Sequence, residues 1–231
     1  MTRTTNARIA GFTFLFYIAA GITSMVLFAR ATTGEGIAAQ FAGIAHHATI
    51  VRITVLLGLL QNFSALVLAV TLYAITRDQD RDLAMLALTC RVAEGIGGMD
   101  ISRTLGLLWL ATATGANAPD TGAAPALGAF LLKSGAWGAS AVFFAVGSTL
   151  FSWLFLRGRM IPVALAWLGV FASILLVVIL PLQLAGLLGG PANWLGPITW
   201  FMWIPMLVYE VALAMWLMIK GVAAPPPRPR A

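Results

Sequence analysis

Long apolar stretches alternate with short polar breaks along this chain. The stretches cover about 9–29, 50–76, 83–112, 129–156, 162–186 and 195–219. A helix needs about 20 residues, at about 1.5 Å rise each, to cross a bilayer core, so each stretch predicts a transmembrane helix. The expected architecture is an all-α polytopic bundle of six transmembrane helices. The third and fourth stretches are longer than a crossing requires, which predicts tilt or helical extension beyond the hydrocarbon.

The breaks differ in character. Arg77 to Asp82 (RDQDRD) and Arg157 to Met160 (RGRM) are short and charged. Residues 113–128 are mostly Ala, Gly, Pro and Thr with one acid, Asp120, and the GGPAN break at 189–193 carries no charge. Between the first two stretches Ile37, Phe41 and Ile44 recur at helical spacing, predicting a short interfacial helix. Residues 1–221 are expected to form a single transmembrane domain. The Pro- and Arg-rich segment 222–231 is expected to be extended and disordered.

Composition agrees with a lipid-solvated chain. Of 231 residues 60% are hydrophobic and 10% charged, with a mean hydropathy of +0.92. Soluble domains carry roughly one quarter charged residues. The formal charge of +6 forms no dense patch and gathers at the ends of apolar stretches, where anionic headgroups lie. Membrane lipids are therefore the expected partners, and nucleic acid is not. The single cysteine, Cys90, excludes an intrachain disulfide and a CxxC centre, and its apolar setting predicts a small packed side chain. Ala29-Arg30-Ala31 has the form of a signal-peptidase site, but the preceding stretch exceeds a signal core of about 7–15 residues. A retained first helix is expected.

Orientation follows from Lys and Arg. With a cytoplasmic N-terminus, that side holds Arg3, Arg8, Arg77, Arg81, Arg157, Arg159, Lys220, Arg228 and Arg230, against Arg30, Arg52 and Lys133 outside. This bias places both termini in the cytoplasm. Tryptophans fall near the outer ends (Trp109, Trp137, Trp194, Trp200) and the inner ends (Trp153, Trp167, Trp216), as aromatic belts do. The expected location is the bacterial cytoplasmic membrane.

Charges inside the stretches mark the candidate chemistry. The third carries Arg91, Glu94, Asp100 and Arg103, and the sixth carries Glu210. A charge near the bilayer centre costs about 2.5–3.5 kcal/mol even on lenient scales, so these residues must face protein or water and find partners. Counting from the inner helix ends puts Tyr17, Arg91, Glu94 and Glu210 ~12–16 Å deep, in one layer. Arg91 is expected to bond Glu210 across helices, with Glu94 and Tyr17 completing the network. Arg91→Ala should then destabilise strongly. One cation against two carboxylates leaves a spare acid, so the cluster reads either as a structural clamp or as a proton site.

A second polar group lies toward the outer face. Asp100, Arg103 and Lys133 suit an interfacial ring of snorkelling side chains or a binding site. His46 and His47 point ~100° apart on a helix and lack nearby Cys, Asp or Glu, so an exposed loop explains them better than a metal. Gln61 and Asn62 suit interhelical hydrogen bonds, and Pro181 and Pro205 predict kinks. There is no HExxH, GxSxG, Walker loop or aspartate run. GIGGMD follows no strand and reads as helix packing. No catalytic residue, metal or cofactor is expected.

Four segments together carry a resemblance: ARIAGFTFLFYIAAGITSM, RDLAMLALTCRVAEGIGG, FFAVGSTLFSWLFLRGRMIP with its following LAWLGV, and YEVALAMWLMIKGV. The chain resembles the bacterial membrane proteins grouped as the domain of unknown function numbered 4386. Its third-span Arg-x-x-Glu and last-span Glu fall here on Arg91, Glu94 and Glu210. The resemblance implies the membrane-helix fold and no activity. Three roles stay open. The first is a membrane-embedded helper or assembly protein with a structural cluster. The second is a small proton-linked carrier or channel using Glu94 or Glu210. The third is an enzyme acting on lipid at the outer face. A homo-oligomer or an unidentified membrane-protein partner is compatible with all three.

Overall fold

The computed structural model describes residues 2–97, 101–115, 118, 120, 122–133, 138–188 and 197–223, and among these all regular structure is helical. The helices are α1 (Arg3–Ala31), α2 (Ile37–His46), α3 (Ala48–Thr76), α4 (Arg81–Gly97), α5 (Ile101–Thr112), α6 (Ala123–Lys133), α7 (Ala139–Arg157), α8 (Val163–Leu184) and α9 (Pro197–Ile219). Five are long and apolar enough to cross a membrane: α1, α3, α7, α8 and the Phe201–Ile219 part of α9. Phe12, Leu56, Trp167, Phe171 and Phe201 are each more than half exposed. Water would penalise such a surface, whereas lipid solvates it. The chain is a multi-pass membrane protein.

Among the described residues, the expected stretch 83–112 carries α4 and α5, and 129–156 carries α6 and α7. The described part of α4 is 17 residues long and carries Arg91 and Glu94. Residues 98–100, 134–137, the GGPAN loop and the tail beyond 223 lie outside the described residues. The side chains of Lys133 and residues 197–200 do as well.

Contacts divide the chain into two compact units, and α1 and α3 contribute to both. The first comprises 1–16, 63–98 and 138–231, where α4 packs on α7, α7 on α8 and α8 on α9. Its α1 segment comes so close to α9 that a Cβ on Gly11 would lie 2.6 Å from the Ala214 carbonyl oxygen and 2.9 Å from the Met218 nitrogen. Small residues permit this approach between membrane helices, where backbone contact replaces the missing hydrophobic drive.

Polar contacts fasten one end of this unit. Asp80 Oδ1 accepts a hydrogen bond from Leu83 N at 3.1 Å, an N-cap on the third residue of α4, while Oδ2 meets Arg157 Nη1 at 3.2 Å. The α7 terminus closes with Arg159 N on Leu156 O (3.1 Å) and Met160 N on Phe155 O (3.1 Å). Arg159 takes the left-handed position at φ 48° that glycine usually fills in this cap. Met160 is buried, accepts Arg3 Nη2 at its sulfur (3.2 Å) and accepts Ala223 N at its carbonyl (3.0 Å). The first residues of α1, the α3–α4 and α7–α8 turns and the chain leaving α9 thus meet one another.

The second unit comprises 17–62 and 99–137. The Ile37, Phe41, Ile44 spacing forms α2, whose Ile44 is fully buried with Ala31, Val51, Leu107 and Leu108. Phe41 lies over Gly128 of α6, where any side chain would enter its ring. Helix α2 therefore packs its apolar face against protein. In this unit a Cβ on Gly21 would lie 2.7 Å from Gln61 Nε2, placing Gln61 against α1.

Gly11→Ala forces backbone against backbone, and a loss of about 1–3 kcal/mol is expected. Gly58→Ala, which meets nothing within 4 Å, should cost nothing. Thermal unfolding of the purified protein in detergent separates the two. Asp80→Ala should lower the same midpoint by about 1 kcal/mol equivalent, the usual value of an N-cap.

Candidate functional site

Charge is deepest in the first unit. Arg91 is 1% exposed, and Glu94 and Glu210 are each 6% exposed. Arg91 Nη1 lies 2.8 Å from Glu94 Oε2. Their spacing of three residues sets both on one face of α4, so a single helical turn makes the pair. The guanidinium carbon stands 4.8 Å from the ring centroid of Phe144 on α7, a cation–π contact. Phe144 in turn stacks on Trp203 of α9, with centroids 5.5 Å apart and planes at 29°. The cation thus meets a carboxylate and an aromatic face.

Glycines create the room. A Cβ on Gly147 would lie 3.1 Å from Arg91 Cγ and Cδ and 3.2 Å from Cys90 Cβ. The Arg91 stem therefore runs along α7 where a side chain is missing. Gly169 of α8 does the same for Tyr209, since a Cβ there would overlap the phenol ring. The Ser152 hydroxyl donates to the Tyr209 hydroxyl at 2.9 Å, and Ser173 Oγ donates to the Gly169 carbonyl at 2.6 Å. Hydroxyls bonded in this way satisfy themselves in a medium that offers no water.

Between these helices lies a cavity lined by Phe14, Leu72, Arg91, Ser148, Tyr209 and Glu210, among others. Its volume of about 10 Å³ is room for about one water molecule. Arg91 and Glu94 both act on Glu210 electrostatically.

Of the layer expected from the sequence, Arg91, Glu94 and Glu210 come together in this unit. Tyr17 belongs to the other unit and is half-buried there. The 2.8 Å ion pair runs along α4 to Glu94, while Glu210 shares the cavity wall with Arg91. One turn of helix delivers Glu94 without any reach across the bundle. Ser148, Ser152 and Tyr209 were not foreseen, and neither were Phe144, Gly147 or Gly169 as the walls around them. Tyr209 adjoins Glu210, and Gly147-Ser148 lies inside the FFAVGSTLFSW segment, so adjacency to marked residues was the available signal.

The second polar group belongs to the other unit. Arg103 Nη1 donates to the Leu131 carbonyl at 3.3 Å and its guanidinium carbon stands 5.5 Å from the Phe28 ring centroid, so Arg103 joins α5 to α6 and α1. His46 ends α2 exposed, and its ring meets that of His47 edge-on at 4.7 Å. Among the described residues no three His, Cys, Asp or Glu side chains gather to hold a metal. Asp100 and the Lys133 side chain lie outside the described residues.

A family model described as Domain of unknown function (DUF4386) matches residues 9–221, nearly the whole chain. The chain belongs to the DUF4386 family. No curated protein matches this chain, and no solved structure does. Arg91, Glu94, Glu210, Tyr209 and both packing glycines lie within the matched region, so this DUF4386 protein carries its buried cluster inside the family domain.

Arg91→Ala removes the cation from Glu94 and the filler from beside Gly147. A loss of about 3–5 kcal/mol is expected, since a buried carboxylate is left uncompensated. Gly169→Leu should be comparably disruptive, while Glu35→Gln at an exposed site should leave the melting midpoint in detergent unmoved.

Proposed function

We propose that this DUF4386 protein is a membrane-embedded helper or assembly component of the bacterial cytoplasmic membrane, whose Arg91–Glu94 pair serves to fix helix packing. The observation that carries this reading is the closeness of the cluster. Its cavity accommodates about one water, and the guanidinium is already engaged by Glu94 and Phe144. A carrier or enzyme would use such a cation on its substrate.

The same reading places both termini in the cytoplasm, with six crossings. Five are the long apolar helices, and α4 with α5 supplies the remaining one between α3 and α7. Two features support it. The α3–α4 and α7–α8 turns meet the start of α1 and the chain after α9 at one end of the first unit. That end carries Arg3, Arg77, Arg81, Arg157, Arg159 and Lys220, the signature of a cytoplasmic face.

Two measurements test the proposal. Vesicles containing the purified protein should dissipate an imposed pH gradient no faster than empty vesicles; a faster decay abolished by Glu210→Gln would establish the carrier role instead. On a Cys90→Ala background, single cysteines at Thr2 and Ala223 should react with a membrane-impermeant maleimide only from the cytoplasmic side. A cysteine at Thr33 should react from outside.

A further inference from the structure

The packing role accounts for Arg91 and Glu94 but leaves Glu210 unexplained. It enters the cavity from α9, beside Tyr209, and is 6% exposed. Its Oε1 is fully shielded and accepts no hydrogen bond from any described residue. Facing it from α4 are Arg91 and Glu94, and from α9 itself the Tyr209 phenol. Helix α7 lines the cavity with the neutral Ser148, with Ser152 bonded to Tyr209, and α1 and α3 line it with Phe14 and Leu72.

Charge balance then decides the state of this carboxyl. Arg91 stands 2.8 Å from Glu94, so one cation serves two carboxyl groups. A second negative charge, shielded from water and with an oxygen lacking a donor, would face desolvation and repulsion by Glu94 while sharing the attraction of Arg91 with it. A bound proton removes the charge and converts the bare oxygen from an acceptor without a donor into a donor. The cavity has room for one water to take that hydrogen bond.

We propose that Glu210 is a proton-binding site, its carboxyl holding a proton drawn from solvent and donating it in a hydrogen bond to a single water in the cavity shared with Arg91, Ser148 and Tyr209. This assigns the site a ligand that helix clamping does not require. It stands whether or not the protein assists assembly, because it depends only on the Arg91–Glu94 pairing and the burial of Glu210.

Infrared spectroscopy of the full chain in lipid nanodiscs at neutral pH tests the proposal. Glutamate labelled with ¹³C at the side-chain carboxyl isolates three residues, Glu35, Glu94 and Glu210. The expected result is a protonated-carboxyl C=O band in the wild type that shifts with the label and vanishes in Glu210→Gln. Absence of the band from the labelled wild type, or its survival in Glu210→Gln, would overturn the assignment. Thermal stability supplies an independent reading. Glutamine mimics a neutral carboxyl, so Glu210→Gln should keep the wild-type midpoint. A variant that fails to fold, or melts as low as Arg91→Ala, would show that an ionised Glu210 is needed and would refute the proposal.

Discussion

A guanidinium cannot be removed from water without replacing what water supplied, and the first unit of this protein is organised around that demand. Arg91 is almost wholly buried, and its replacement partners come from three helices. Glu94 lies one turn on along α4, the Phe144 ring is on α7, and Trp203 of α9 stacks behind that ring. Removing any of these partners leaves the rest around an under-compensated charge. Breaking a buried ion pair is costly for that reason, whatever the pair adds to net stability. The glycines follow from the same demand. Gly147 clears the path of the arginine stem, and Gly169 admits the phenol of Tyr209 beside Ser152.

The opposite kind of solution holds the end of the unit. There the contacts are exposed or half-exposed, and they work through caps. Asp80 both caps α4 and meets Arg157, while the α7 terminus turns through Arg159 in a left-handed conformation onto buried Met160. The Asp80–Arg157 pair alone is worth little at a solvated surface. Its structural value lies in joining two turns that would otherwise be linked only by long helices. Deep charge and shallow caps thus fasten the same helices at different levels.

For function, the contrast between the two polar groups matters more than either alone. Arg103 is engaged by the Leu131 carbonyl and the Phe28 ring, which accounts for it as a packing residue. Glu210 presents a shielded oxygen to a cavity of water size. Membership of the DUF4386 family assigns no chemistry, and it is this arrangement of charge and space that marks a site.

Much of this was legible in the sequence. The apolar stretches marked the helices because lipid demands about 20 nonpolar residues for each crossing. The Arg91-x-x-Glu94 spacing set the pair on one face, and the charge of Glu210 within an apolar run marked it as facing the protein interior. Other features were not legible. Spacing along α4 sets Glu94 beside Arg91, but it does not fix which side chains of α7 and α9 face that pair. Tyr209, Ser152 and Gly169 are joined by the packing of α7, α8 and α9, whose relative rotation no local pattern encodes. By itself, then, the sequence determined helices, membrane and buried charge, since these depend on each segment's own transfer from water. Only the tertiary structure decided which partner each charge meets, because that depends on contacts between residues distant along the chain.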